Sequence, residues 1–226
     1  MFALENKILY NHAEIIYNIG MIVNSGVKPV DTLNIIDKLL NDNNGVVRTV
    51  DAVRAGLSRP TLGLLVKKGE LERIAHGQYI RPDDFPDELY ILQQRSDKII
   101  FSHETALFLH DMAERTPLQH SLTLPSSSKL SPTLADGCKV YYVKQELYGL
   151  GRCTVLSKMG REIIAYDAER TICDILRSRS RIDSQTFATA MKSYAARKDQ
   201  NWSKLRDYAE AFRVTKLLRQ YLEVLL

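Results

Sequence analysis

Cysteine is scarce in this chain, with only Cys138, Cys153 and Cys173 among 226 residues. An odd and widely spaced set is unlike a disulfide framework or a zinc site. Long apolar runs are also missing. The longest near-apolar stretch, Ile15 to Val23, is nine residues long and contains Asn18 and Gly20, whereas spanning a bilayer takes about 20 apolar residues. Glu5, Lys7, His12 and Glu14 break any signal-peptide core in the first twenty residues. With 11 glycines, 7 prolines and 45% apolar residues, the composition excludes a collagen-like, low-complexity or largely disordered chain. A soluble, cytoplasmic protein with no membrane association is expected, built as one large domain or two small ones.

The common catalytic signatures are absent as well. There is no GxxxxGK[ST] phosphate loop, no GxSxG elbow and no HExxH pair. The E-x-K triplet Glu5-Asn6-Lys7 precedes every acidic partner that a nuclease would need. His103 and His110 would share a helix face but lack a companion carboxylate or cysteine cluster, and Cys173 reads as a small buried hydrophobe. The expectation is no enzyme, no cofactor and no metal.

What is present is an uneven distribution of charge. The net of +4 resolves into −2 over residues 1–45, +4 over 46–82, −4 over 83–169 and +6 over 170–226. Two basic segments therefore flank an acidic one, and basic segments attract nucleic-acid phosphates. The plainer alternative is a solvated helical surface.

Apolar spacing predicts a helix over 4–24 and a second from Asp31, a candidate N-cap, to about Asn41. Thr49 would cap a short helix through Ala55 whose apolar positions are Val50, Val53 and Ala52. Ser58 would cap a helix from Arg59 to Lys68 whose Leu62, Leu65 and Val66 face the core. Leu71–Ile74 and Gln78–Arg81 read as a hairpin ended by Pro82. This is the order of a winged helix-turn-helix. A helix over Asp87–Arg95 reads as a connector. Beyond it strands are expected at Ile99–Phe101, Ser121–Leu124, Lys139–Val143, Cys153–Ser157 and Glu162–Ala165, with helices at His103–Met112 and from Asp167 onward. The fold class is α+β: an amino-terminal winged helix-turn-helix domain (1–90) followed by a mixed α+β domain ending in helices (91–226).

In a helix-turn-helix the second helix of the motif enters the major groove. Here Arg59, Thr61, Gly63 and Lys67 lie away from the apolar stripe. Arg59 suits bidentate contact with guanine, and Thr61 a base or a thymine methyl. Arg48, Thr49 and Lys68 are candidates for phosphates, with Thr49 and Ser58 also serving as caps. Arg73, His76, Gln78 and Arg81 lie on or beside the wing. Gly63 is explained equally by close approach to DNA or by a helix–helix crossing. Arg170, Arg177, Arg179, Arg181, Arg197 and Lys198 form a possible second basic surface, the alternative being solvated charge over an apolar core.

The run Gly56-Leu57-Ser58-Arg59-Pro60-Thr61-Leu62, with Leu65-Val66-Lys67-Lys68-Gly69-Glu70-Leu71 and Gly77-Gln78-Tyr79, resembles the winged helix of the AbiEi antitoxin family. Phe101-Ser102-His103-Glu104-Thr105-Ala106-Leu107, Leu122-Thr123-Leu124-Pro125 and the run from Tyr166 to Leu176 resemble its carboxy-terminal domain. The resemblance covers about residues 46–226. It implies a bacterial type IV antitoxin of a phage abortive-infection system that represses its own operon by binding inverted repeats in double-stranded operator DNA, as a monomer or dimer cooperating on DNA. The implied partner is a nucleotidyltransferase-like toxin, countered without a stable complex. The competing readings are a module that neutralises a toxin by direct binding, and a nucleic-acid enzyme with a divergent site in residues 97–166.

Overall fold

A computed structural model describes residues 29–225, so the helix read over 4–24 lies outside the described residues. The chain is mixed α+β and divides into two compact units, the break falling between Pro86 and Asp87.

The first unit begins with α1 (Pro29–Asp42). Asp31, read as an N-cap, instead lies inside its first turn. The Asn-rich turn after it closes with Gly45 N–H donating to Leu40 O at 2.7 Å. Then follow β1 (Val47–Arg48), α2 (Thr49–Arg54), α3 (Arg59–Lys67), β2 (Glu72–Ala75) and β3 (Gln78–Ile80). β1, which was not anticipated, pairs with β3 and makes the hairpin a three-stranded antiparallel sheet in the order β1-β3-β2. The core joins Ile36 and Leu40 of α1, Ala52 of α2, Leu62 and Leu65 of α3, and Val47, Leu57 and Leu71. Each large side chain buried there contributes about 1.5–3 kcal/mol.

The second unit starts with α4 (Glu88–Gln93), capped by Asp87, whose carboxylate accepts from Tyr90 N–H at 3.1 Å. Five strands follow: β4 (Ile100–Phe101), β5 (His120–Pro125), β6 (Cys138–Val143), β7 (Arg152–Leu156) and β8 (Glu162–Tyr166), in the order β6-β5-β4-β8-β7. The β4–β8 and β5–β6 pairs are parallel, the others antiparallel. α4 is not a free connector: the Gln93 amide donates to Ile99 O and Ile164 O and accepts from Ile164 N–H at 2.7 Å. The helices are α5 (His103–Leu109), the short α6 (Pro132–Ala135) and α7 (Gln145–Tyr148), α8 (Ala168–Arg177), α9 (Ser184–Ala196), α10 (Trp202–Ala211) and α11 (Thr215–Leu225). α8 is buried along nearly its whole length. Ile172, Cys173, Ile175 and Leu176 pack with Phe187, Tyr194, Leu205 and Phe212. No helix among the described residues is long and apolar enough to cross a membrane.

Candidate nucleic-acid interface

α3 owes its position to its two ends. Ser58 Oγ accepts the Thr61 N–H at 3.3 Å, and Pro60 sits in the first turn, where a missing N–H costs no helical bond. At the other end Gly69, with φ of 74°, donates to Val66 O while Glu70 N–H reaches Leu65 O at 3.0 Å. This is a Schellman closure, which only a residue tolerant of the left-handed region permits cheaply. Between these ends Leu62 and Leu65 anchor the buried face, so the opposite face presents Arg59, Pro60, Gly63 and Lys67 to solvent. Neither Arg59 nor Lys67 is held in an ion pair among the described residues.

The other residues read as DNA-facing are distributed differently. Thr61 is 2% exposed, and its hydroxyl lies 2.8 Å from Ser58 Oγ, so it braces the cap and does not face solvent. Gln78 is also 2% exposed and points inward from β3. Thr49 does not cap α2. It is the first helical residue, Arg48 holds the N-cap position, and the Thr49 N–H donates to Gly77 O at 2.8 Å. Arg48 pairs with Asp51, and half-buried Arg81 pairs with Asp37 of α1. Lys68 is half-buried at the C-cap of α3. Arg73 and His76 are exposed at the hairpin tip, the guanidinium of Arg73 reaching His76 Nδ1 and Ala75 O, both at 3.3 Å.

The surface also includes residues that the sequence reading placed elsewhere. Val50 (57% exposed) and Val53 (48% exposed) stand outside the core together with Arg54, because Ala52 alone of the six-residue α2 faces inward. An i, i+3 pair of valines looks the same whether its stripe is buried or exposed. In so short a helix the small Ala52, not the large residues, fixes the orientation.

In the second unit, four of the six residues read as a second basic surface, Arg170, Arg177, Arg179 and Arg181, lie over aromatic rings. Arg170, read as the start of a surface stripe, is 0% exposed. It is sandwiched between Tyr166 and Phe212 at 3.9 and 4.1 Å, pairs with Asp174 at 3.0 Å, and donates to Leu147 O and Leu150 O at 2.8 and 2.7 Å. Burial raises the Asp174 carboxyl above its ordinary range, and Arg170 opposes that shift. Half-buried Arg179 stacks on Phe187, and exposed Arg181 on Tyr141. Exposed Arg177 stands 6.0 Å from the Phe212 ring. Arg197 forms a fork with Asp199 and donates to His110 O at 2.7 Å, leaving Lys198 exposed beside it. His103, buried with φ of 45°, stacks on Tyr141 at 3.4 Å and bonds Ser102 and Ser178. Burial, then the charges of Arg170, Arg181, Arg177 and Lys139, hold it well below the usual imidazole range, so it is neutral. His110 instead bonds Tyr166 O at 2.7 Å. Asp167 and Glu169 are satisfied within the fold. Asp167 caps α8 and meets Lys204 at 2.8 Å, while Glu169 accepts from Tyr194 and from Asn201 N–H. No group of three His, Cys, Asp or Glu residues placed to hold a metal occurs among the described residues.

Residues 34–82, the stretch that builds α3 and the hairpin, match the family model described as transcriptional regulator, AbiEi antitoxin. The matched segment runs from Asn34 within α1 to Pro82 and includes every exposed cation of α3 and the hairpin. In solved structures the chain is similar to the RV2827C protein from Mycobacterium tuberculosis, with a TM-score of 0.58 at 14% identity over 79% of this chain and 71% of that one. That likeness is one of fold. No curated protein matches the chain.

Proposed function

We propose that the chain is an autorepressing antitoxin whose amino-terminal domain is a winged helix-turn-helix, with α2 and α3 as the two helices of the motif, α3 in the major groove and the β2–β3 hairpin as the wing. The observation that carries this reading is the exposed Arg59–Lys67 face of α3, together with exposed Arg73 and His76 on the hairpin. Arg59 offers a planar fork for a guanine edge, and Arg73 a charge for the backbone. Inverted repeats in the promoter would be read by two copies, as a dimer or cooperatively. The carboxy-terminal domain would carry antitoxicity against a nucleotidyltransferase-like toxin without a stable complex and without catalysis. Arg177, Arg181 and Lys198 are among the exposed charges there that would meet flanking DNA or an RNA that the toxin acts on. The engagement of Asp167 and Glu169 by caps and Lys204 supports the non-catalytic reading. The expected location is the cytoplasm, on the nucleoid when bound to DNA.

A gel-shift titration on the duplex upstream of the coding sequence tests this. Arg59→Ala should relax the preference at one base pair by about 1–3 kcal/mol. Arg73→Ala should weaken all sequences alike and reduce the salt slope by about one. Retention of specific binding after loss of both Arg59 and Lys67 would show that α3 is not the reading helix. Co-elution of chain and toxin on size exclusion would favour direct neutralisation instead.

A further inference from the structure

The exposed stripe of α3 runs Arg59, Gly63, Lys67, residues four apart and hence on one face. Its ends carry long cations and its middle is bare backbone. Glycine is a poor choice for a helix interior, because it gives up the most backbone freedom on folding and shields the helical hydrogen bonds least. Its place here calls for a reason that alanine would not satisfy.

Among the described residues the structure supplies none. Gly63 has no left-handed φ, unlike Gly69 or Gly77. It does not terminate the helix, which Ser58 and the Gly69 closure already delimit. A Cβ built on Gly63 meets no atom within 4 Å among the described residues, whereas one on Gly77 would stand 3.3 Å from Thr49 Oγ1. The helix–helix crossing that would also explain this glycine therefore has no counterpart among the described residues. The space above Gly63 is open on the described surface.

We infer that Gly63 is the point of closest approach of α3 to duplex DNA, a notch that seats the edge of a base pair between the two flanking cations. At about 1.5 Å of rise per residue, positions 59 and 67 stand about 12 Å apart along the helix. With the helix lying along the major groove, both cations stand over the same stretch of groove and the bare turn lies between them against the base edges. The space left by the missing Cβ is the size of a methyl group, which fits the C5-methyl of a thymine. A side chain at this position lifts the whole face and lengthens the Arg59 hydrogen bonds, whose strength falls steeply with distance. This inference rests on the DNA-reading role proposed for α3.

The test uses the full chain with Gly63→Ala and Gly63→Leu, measured by thermal unfolding and by binding to the upstream duplex and to a length-matched scrambled duplex. Gly63→Ala should raise Tm, yet weaken binding to the upstream duplex by about tenfold or more, the cost of one lost base contact. Gly63→Leu should weaken it further, and both should bind the scrambled duplex within about twofold of the parent, because phosphate contacts dominate there. Wild-type specific binding by Gly63→Ala, with specificity lost in Arg59→Ala, overturns the notch and leaves the reading helix standing. Unchanged specificity in all of these variants, or no preference of the parent for the upstream duplex, overturns the DNA-reading role itself. A lowered Tm or failure to fold for Gly63→Ala also overturns the notch, since the glycine would then answer an internal packing demand.

Discussion

Methionine at position 170 keeps most of the length of a buried arginine while removing its charge and all its donors. The perturbation is large because Arg170 is fully buried and every polar contact of its side chain is lost at once. Asp174 would be left as a buried carboxylate without its 3.0 Å partner, and the carbonyls of Leu147 and Leu150 would lose their donors. Breaking a buried ion pair from one side costs about 3–5 kcal/mol, and an abandoned buried carbonyl about 1–3 kcal/mol more. Local relaxation makes these overlap, so a loss of about 4 kcal/mol is expected for Arg170→Met. At exposed Arg177 the same substitution should stay within about 0.5 kcal/mol. Urea unfolding followed by Trp202 fluorescence reads this unit selectively, because Trp202 is the chain's single tryptophan and lies edge-on to Tyr194 at 5.4 Å. The sign of the pH dependence is fixed too. Burial already raises Asp174, and losing Arg170 raises it further. A carboxyl with a folded pKa above its unfolded one binds its proton more tightly when folded. The variant's deficit is therefore greatest at neutral pH and shrinks as pH falls through the folded value. A loss below about 1 kcal/mol, or a deficit that does not change with pH, would refute the assignment of Arg170 as the charged centre of this core.

Two further outcomes follow from the same geometry. His103 is held neutral by burial and by Arg170, Arg181, Arg177 and Lys139, so the unfolded chain takes up a proton near pH 6.5 that the folded chain refuses until well below it. Its contribution is thus constant above that value and declines as pH falls below it. A urea midpoint that drops on acidification, with a shallower slope in His103→Gln, is expected; parallel slopes would count against it. Ser58→Ala should cost about 1 kcal/mol in thermal unfolding through loss of the cap. An unchanged Tm would mean that the Schellman closure and the leucine anchors hold α3 alone.

The elements were readable in the sequence wherever a local signal was strong. Ser58 before Arg59-Pro60 marked the start of α3 and Gly69 its end, and Asp167, Asp183 and Asn201 each precede a helix that they cap. β1 was missed because two residues carry no periodicity, and their strand character comes from pairing with β3, whose partners lie some thirty residues on. The site was half legible. Arg59 and Lys67 followed from helical spacing against Leu62 and Leu65, but Thr61 lies close enough to the apolar side for its hydroxyl to turn onto Ser58. Arg170 defeated the reading of charge as surface. Nothing local distinguishes an arginine over two aromatic rings from one in water, because Phe212 is brought to it from more than forty residues away.

The five-stranded sheet also has an uneven seam. β5 and β6 run side by side along their full length, as do β7 and β8, while β4 meets β8 only where Phe101 lies opposite Ala165. The two wide ribbons are thus joined at the middle of the sheet by a very short splice, and the Gln93 side chain lies across it, bonded to Ile99 on one bank and Ile164 on the other. An amide borrowed from a helix does there what a longer strand would do. The continuity of the sheet, and the protection of the Ile164 N–H from exchange with solvent, therefore depend on one rotamer as well as on backbone pairing. A pull that separates the ribbons would concentrate at that rivet before it reached either rim.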